Sequence, residues 1–357
     1  MPERPDPSRA RAALLAAGAL FALGQLGVGL LLDRAPMDVR FAQGAKLLAS
    51  ADRMGGRPYA LLLGSSRLRN VDVGELRSAL AETLGSGAPP VLQGSVLAGD
   101  PIVADHLLER ILARGGRPAL VILEISPETL STPAHWVDDH ATRFFTWRDV
   151  AAWAPEILAA GQARKVLATR LLPVHVYRKE LLGWLVGHPP PYLAAPGPGA
   201  PASAHPFAAP ASWTPALAPP PEPDERTLSG LARMREWLDG YRLGGGSLRS
   251  LERALERCRH HGVAVVLLDV PATSWLRALY TPEIEGPYRE TMARLAATPG
   301  VRFLDYRTRI HDGLFEDHYH LDEEGGRVFG RMLAREVIAP AWPGRSPAPL
   351  ALAPGPD

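Results

Sequence analysis

Tyr59-Ala60-Leu61-Leu62-Leu63-Gly64-Ser65-Ser66-Arg67 decides how this chain is read. An apolar run ended by glycine fits a strand covered on both faces, because an inner strand of a parallel sheet has no solvent side. A serine just past such a strand stands where open parallel sheets hold their ligands, beyond the strands' carboxyl ends. Far downstream comes Asp317-His318-Tyr319-His320-Leu321. Ser66, Asp317 and His320 are the raw material of a Ser-His-Asp triad. A serine hydroxyl is a poor nucleophile until a base takes its proton, and the base needs a carboxylate to hold its tautomer.

Outward from the first strand, apolar runs of strand length alternate with amphipathic stretches. Residues 73–84 have helical spacing, with Leu76, Leu80 and Leu84 on one face and Gly85 as the C-cap. Residues 90–93 and 119–125 read as the second and third strands, and Asp100-Pro101 opens a helix running to about Arg114. Helices are expected over 227–241, 247–260, 288–297 and 323–337, and strands over 263–270 and 301–305. This alternation predicts βα units on a parallel sheet, forming one α/β domain over residues 55–338. Residues 131–187, rich in aromatics, read as an insertion over the active-site end. Residues 189–223 are too rich in proline for a helix or an inner strand. They read either as a semi-rigid surface tether or as a lid or docking segment around Tyr192, Phe207 and Trp213. Residues 339–357 form a Pro-rich tail.

Composition narrows the function classes. A net charge of +1 gives no reason to expect a nucleic-acid partner. The lone Cys258 excludes an internal disulfide and a Cys-based metal site. His318 and His320 have no further ligand cluster around them, so no metal is expected, and nothing calls for a cofactor.

Behind a basic segment, residues 1–11, the stretch 12–32 carries no charge and one strongly polar residue, Gln25. That length matches a helix crossing a ~30 Å hydrocarbon core. A cleaved signal peptide would have a shorter apolar region and a small-residue exit, which Asp33-Arg34-Ala35-Pro36 does not offer. An uncleaved single-pass anchor is expected, followed by a juxtamembrane linker at 33–54. Arg4, Arg9 and Arg11 before the span are balanced by Arg34, Arg40 and Lys46 after it, so charge alone does not orient it.

On these residues the chain resembles the SGNH/GDSL hydrolase superfamily. It resembles in particular the membrane-anchored branch handling acyl groups in bacterial envelopes, such as alginate O-acetylation proteins and the D-alanyl-transfer protein of teichoic acid synthesis. Gly64-Ser65-Ser66-Arg67 matches the family's first block with Ser66 at the nucleophile, and Asp317 and His320 match its last. Ala98-Gly99-Asp100 is similar to the second block and nominates Gly99 for the oxyanion hole. The third block departs: the strand runs into Glu124-Ile125-Ser126-Pro127-Glu128 and lacks the family's Asn, while Ser65 replaces its Asp. The resemblance implies a flavodoxin-like three-layer parallel sheet and an extracytoplasmic catalytic domain. It also implies a serine esterase or acyltransferase acting on an acylated envelope carbohydrate or glycopolymer, with a membrane-bound O-acyltransferase as a partner.

In that reading His320 takes the Ser66 proton, Asp317 holds the other imidazole nitrogen, and backbone amides of Ser66 and Gly99 bind the oxyanion. The Ser126 hydroxyl either substitutes for the missing Asn or caps a turn. Arg67 either contacts an anionic substrate or sits in a rim salt bridge, and His318 is expected to face solvent. The competing class is a non-catalytic SGNH-like scaffold or glycan-binding protein of an envelope assembly.

Overall fold

The computed structural model describes residues 7–34, 41–97, 99–131, 145–159, 161–186 and 222–343. Most of the Pro/Ala-rich stretch 189–223, with Tyr192, Phe207 and Trp213, lies outside them, as does the tail beyond 343. In chain order, α1 (Pro7–Arg34) and α2 (Ala42–Arg53) precede β1 (Tyr59–Leu63), α3 (Ser66–Arg69) and α4 (Val73–Leu84). Next come β2 (Val91–Gln93), α5 (Pro101–Ala113) and β3 (Pro118–Ile125). Five short helices follow: α6 (Trp147–Ala152), α7 (Ala154–Ala159), α8 (Ala163–Leu171), α9 (Pro173–Val176) and α10 (Arg178–Leu185). The remainder is α11 (Glu225–Leu238), α12 (Gly245–His260), β4 (Ala264–Asp269), α13 (Ser274–Arg277), α14 (Pro282–Ala296), β5 (Val301–Asp305) and α15 (Glu323–Met332).

All five strands pair in parallel, in the order β2-β1-β3-β4-β5. Every residue of β1 is buried, and β3 and β4 are buried over nearly their whole length. This is why these strands read as nearly continuous apolar runs instead of alternating ones, with Glu124 in β3 and Asp269 at the end of β4 as the exceptions. On one face, α4 and α15 pack over Leu62, Ile122 and Leu268 through Leu76, Leu80 and Phe329. On the other side α5 packs against α12, and Asp105 of α5 accepts from Arg253 and Arg257 of α12 at 2.9 and 3.0 Å.

Local chemistry explains the helix ends. Asp72 caps α4 by accepting the Glu75 amide at 3.0 Å, and Gly85 closes it with φ +57°. Asp100 caps α5 by accepting from the Ile102 and Val103 amides, with Pro101 at the first helical position. α14 begins six residues earlier than the periodicity predicts, at Pro282 instead of Tyr288. The added residues include Pro287, which the helix holds inside its second turn. Past Met332 the last helix continues as a π-helical segment, Leu333–Ile338.

Two compact units divide the chain: residues 1–45 with 137–205, and residues 46–136 with 206–357. The segment read as an insertion in the α/β domain therefore clusters with the N-terminal helix, through contacts of α1 with α8 and α9. The linker expected at 33–54 carries the helix α2. Among the described residues, α1 is the one helix long and apolar enough to cross a membrane.

Candidate functional site

Ser66, Gly99, Asp317 and His320 all lie beyond the carboxyl ends of strands of this parallel sheet, where such sheets collect functional groups. Ser65 ends the first strand's loop and caps α3, its hydroxyl accepting the Arg67 amide at 3.1 Å. Ser66 is the first residue of that short helix and is half-buried. Its Oγ lies 2.7 Å from His320 Nε2, and His320 Nδ1 lies 2.7 Å from Asp317 Oδ2. Asp317 Oδ1 accepts from the backbone amides of Tyr319 and His320 at 3.0 and 2.8 Å. Burial works against the Asp317 charge. The His320 ring and the two amides outweigh it and hold the carboxyl well below the usual range.

The two halves of this chain of bonds come from opposite ends of the sequence, and the last helix joins them. A short loop closes around the Asp-His segment through bonds from the Glu316 amide to His320 O (2.9 Å) and the Asp322 amide to Leu314 O (3.0 Å). Asn70 Nδ2 donates to Leu321 O, and the Asp72 amide donates to Gly326 O, both at 3.1 Å. A Cβ on Gly326 would lie 2.3 Å from Asn70 O, so this close approach of α15 to the segment after Ser66 requires glycine there.

Glu124, not singled out in the sequence analysis, holds the Ser65–Leu68 turn that carries Ser66 from the sheet. Its Oε2 accepts the Ser65 amide (2.7 Å) and the Leu68 amide (3.2 Å), while Oε1 accepts the Ser65 hydroxyl at 2.5 Å. Of the first three amides of α3, Arg67 donates to Ser65 Oγ and Leu68 to Glu124, which leaves the Ser66 amide available to an oxyanion. Burial raises the Glu124 carboxyl, opposed by Arg67 and the three bonds. One signal of this role was legible: a lone carboxylate in the apolar run Val121-Ile122-Leu123-Glu124-Ile125 must find partners when buried.

The other predicted residues divide. Gly99 lines the same cavity as Ser66, and a Cβ on it would fall 2.1 Å from Gly64 O, so only glycine allows that backbone contact. Its amide is committed to Val96 O at 3.1 Å, so contributing to an oxyanion hole requires that turn bond to be shared. Ser126 is fully buried and bonded to Thr129, which makes it a turn residue. Arg67 is buried, not on the rim. Its Nη1 donates to Glu128 at 2.9 Å and Nη2 to the carbonyls of Val270 and Pro271, which leaves Nε as its uncommitted nitrogen. Glu128 is in turn held by the Tyr280 hydroxyl at 2.8 Å. His318, expected in solvent, is only 6% exposed. It packs against Gly230 and edge-on to Tyr319, and burial pushes its pKa down to about 4, against the pull of Asp317.

A cavity of about 120 Å³ adjoins Ser66. Its polar floor includes Arg67, Asp100, Glu124 and Glu128, and Met234 and Trp237 of α11 with Tyr319 give it apolar walls. Asp100 is buried there and its pKa rises to about 7, burial outweighing its bonds to Val103 and Ile102. A larger open groove beside α11 and α14, lined by Arg235, Glu236, Asp239 and Glu283, contains none of Ser66, Asp317 and His320. In comparison with known proteins, the chain matches no family model and no curated sequence.

Proposed function

We propose that this protein is a serine-dependent O-acyl esterase or O-acyltransferase acting on an envelope carbohydrate or glycopolymer, anchored by α1 with its α/β domain outside the cytoplasm. The observation that carries the reading is the unbroken chain Ser66 Oγ–His320 Nε2 and His320 Nδ1–Asp317 Oδ2, each link 2.7 Å. The strand order 2-1-3-4-5, shared with flavodoxin-like sheets, supports the SGNH resemblance. The resemblance expects a carboxylate at 65; here Ser65 is bonded to Glu124 instead.

The mechanism follows from proton positions. His320 accepts the Ser66 proton at Nε2 while Oγ bonds to the ester carbonyl carbon, and Asp317 stabilises the imidazolium that results. The oxyanion binds the Ser66 amide; a single such donor is typically worth 10²–10³ in rate. His320 then returns its proton to the leaving alcohol, and the acyl group stays on Ser66. Water or a sugar hydroxyl attacks next, releasing the acid or the transferred ester. The cavity beside Ser66 suits a short acyl group. A membrane-bound O-acyltransferase would supply the acyl group in the transfer variant.

Full-length protein should hydrolyse a chromogenic acetyl ester and react with a serine-directed fluorophosphonate, and Ser66→Ala should do neither. Equal labelling of Ser66→Ala would remove the serine from the mechanism. One observation favours the scaffold alternative, the commitment of the Gly99 amide to Val96 O. That alternative requires glycan retention without turnover, and full rescue of a deletion phenotype by Ser66→Ala.

A further inference from the structure

Gln25, the one strongly polar residue of the N-terminal span, is only 8% exposed. Its Oε1 accepts the backbone amide of Val174 at 3.1 Å, in the first turn of α9. Gly29 faces Arg170 O and Pro173, where even a Cβ would sit 3.7 Å away. Leu32 and Val28 pack on Tyr177, Val176 and Leu181, and Asp33 pairs with Arg170 at 2.8 Å. One face of the carboxyl half of α1 is thus covered by α8, α9 and α10. The remaining faces, including Leu23, Leu26, Leu30 and Leu31, stay exposed.

The covering helices are themselves apolar on the outside. Leu171, Leu172, Val174, Leu182, Leu185 and Val186 are all exposed, the last three at 55–73%. A helical cap meant for water would turn polar groups outward. Depth along α1 gives the reason. Gln25 lies eight residues before Asp33, or about 12 Å at a helical rise of ~1.5 Å per residue. Half of a ~30 Å hydrocarbon core is about 15 Å. If α1 spans the membrane with Asp33 near one interface, the Leu172–Val174 turn lies inside that leaflet. There a free backbone donor is costly, and the Gln25 side chain satisfies the Val174 amide. Arg164, Lys165, Arg178 and Lys179 are exposed at the starts of α8 and α10, long enough to reach headgroup phosphates.

We propose that α8–α10 form a monotopic wedge that enters one leaflet alongside α1, with Leu171, Leu172 and Val174 among the acyl chains and the basic residues among anionic headgroups. This rests on α1 being a spanning helix, and it is independent of the chemistry at Ser66.

Purified full-length protein in vesicles of phosphatidylcholine with a quarter phosphatidylglycerol tests it, one environment-sensitive fluorophore at a time. The sites are Leu172→Cys and Leu182→Cys in the wedge, Leu23→Cys in α1 and Leu228→Cys on α11. Natural Cys258 is buried, and burial, with Asp105 adding to it, pushes its thiol up to about 12, so it stays unlabelled. Lipids with a doxyl quencher on the acyl chain should lower emission at positions 23, 172 and 182 by at least about twofold and leave position 228 unchanged. Quenching at 23 but not at 172 or 182 overturns the wedge and keeps the anchor. No quenching at 23 overturns both. Equal quenching at 228 means general adsorption and also overturns the wedge. Because no other protein is present, a requirement for a protein partner would register as failure at 172 and 182.

Discussion

Glu124→Ala is the perturbation that bears most directly on how the site is built. The Ser65 and Leu68 amides both end on Glu124 Oε2, and Ser66 lies between them in sequence. Removing the carboxylate leaves two buried N–H groups without a partner at about 1–3 kcal/mol each. The expected loss of folding stability is therefore about 2–6 kcal/mol, a large share of the ~5–15 kcal/mol typical of a domain. Burial of the Glu124 charge works the other way, so the lower end of that range is expected. Glu124→Gln retains a carbonyl oxygen for both amides and should stay within about 1 kcal/mol of wild type. The functional effect should exceed the structural one. A nucleophile displaced by ~1 Å loses about 10²-fold in rate, so fluorophosphonate labelling of Glu124→Ala should slow by that factor, and Glu124→Gln by much less. Urea unfolding of the full-length protein in detergent, followed by tryptophan fluorescence, gives the stability; labelling kinetics below the unfolding transition give the rate. A Glu124→Ala protein as stable as wild type and labelled at the wild-type rate would refute the idea that the sheet positions Ser66.

Asp317→Asn should keep the bonds to the Tyr319 and His320 amides through its carbonyl oxygen but present an N–H to His320 Nδ1. That favours the wrong tautomer, and kcat/KM on an acetyl ester should fall by ~10⁴, as in the serine protease triad, with the circular dichroism spectrum unchanged; a loss under about threefold would leave at most a Ser-His dyad. For His318, the folded pKa near 4 lies below the ordinary value of ~6.5. The unfolded chain therefore binds more protons between these values, and the stability from keeping His318 neutral is complete above ~6.5 and lost as pH falls toward 4, by up to about 3 kcal/mol. His318→Leu should flatten the fall of Tm over that window without lowering Tm at neutral pH, since neither ring nitrogen makes a hydrogen bond among the described residues; parallel Tm–pH curves would dismiss the residue as the source.

Much of the architecture was legible because the governing physics is local. Apolar runs at 59–63 and 119–125, the second broken only by Glu124, announce strands buried on both faces, and Gly85 and Asp100 mark helix ends through bonds spanning a few residues. Ser66, Asp317 and His320 could be nominated because side-chain type alone limits what can attack, accept a proton or orient an imidazole. Tertiary structure alone decided the rest, because burial and pairing depend on residues far apart in the chain. Arg67 is drawn inside by Glu128 and the carbonyls of Val270 and Pro271, and His318 is sealed by Gly230, partners no local window contains. Glu124 reaches the Ser65 turn across 59 residues, and Gln25 meets Val174 across 149. Sequence determines which groups are able to do the chemistry; the fold determines which of them meet, because a hydrogen bond needs its two atoms within about 3 Å.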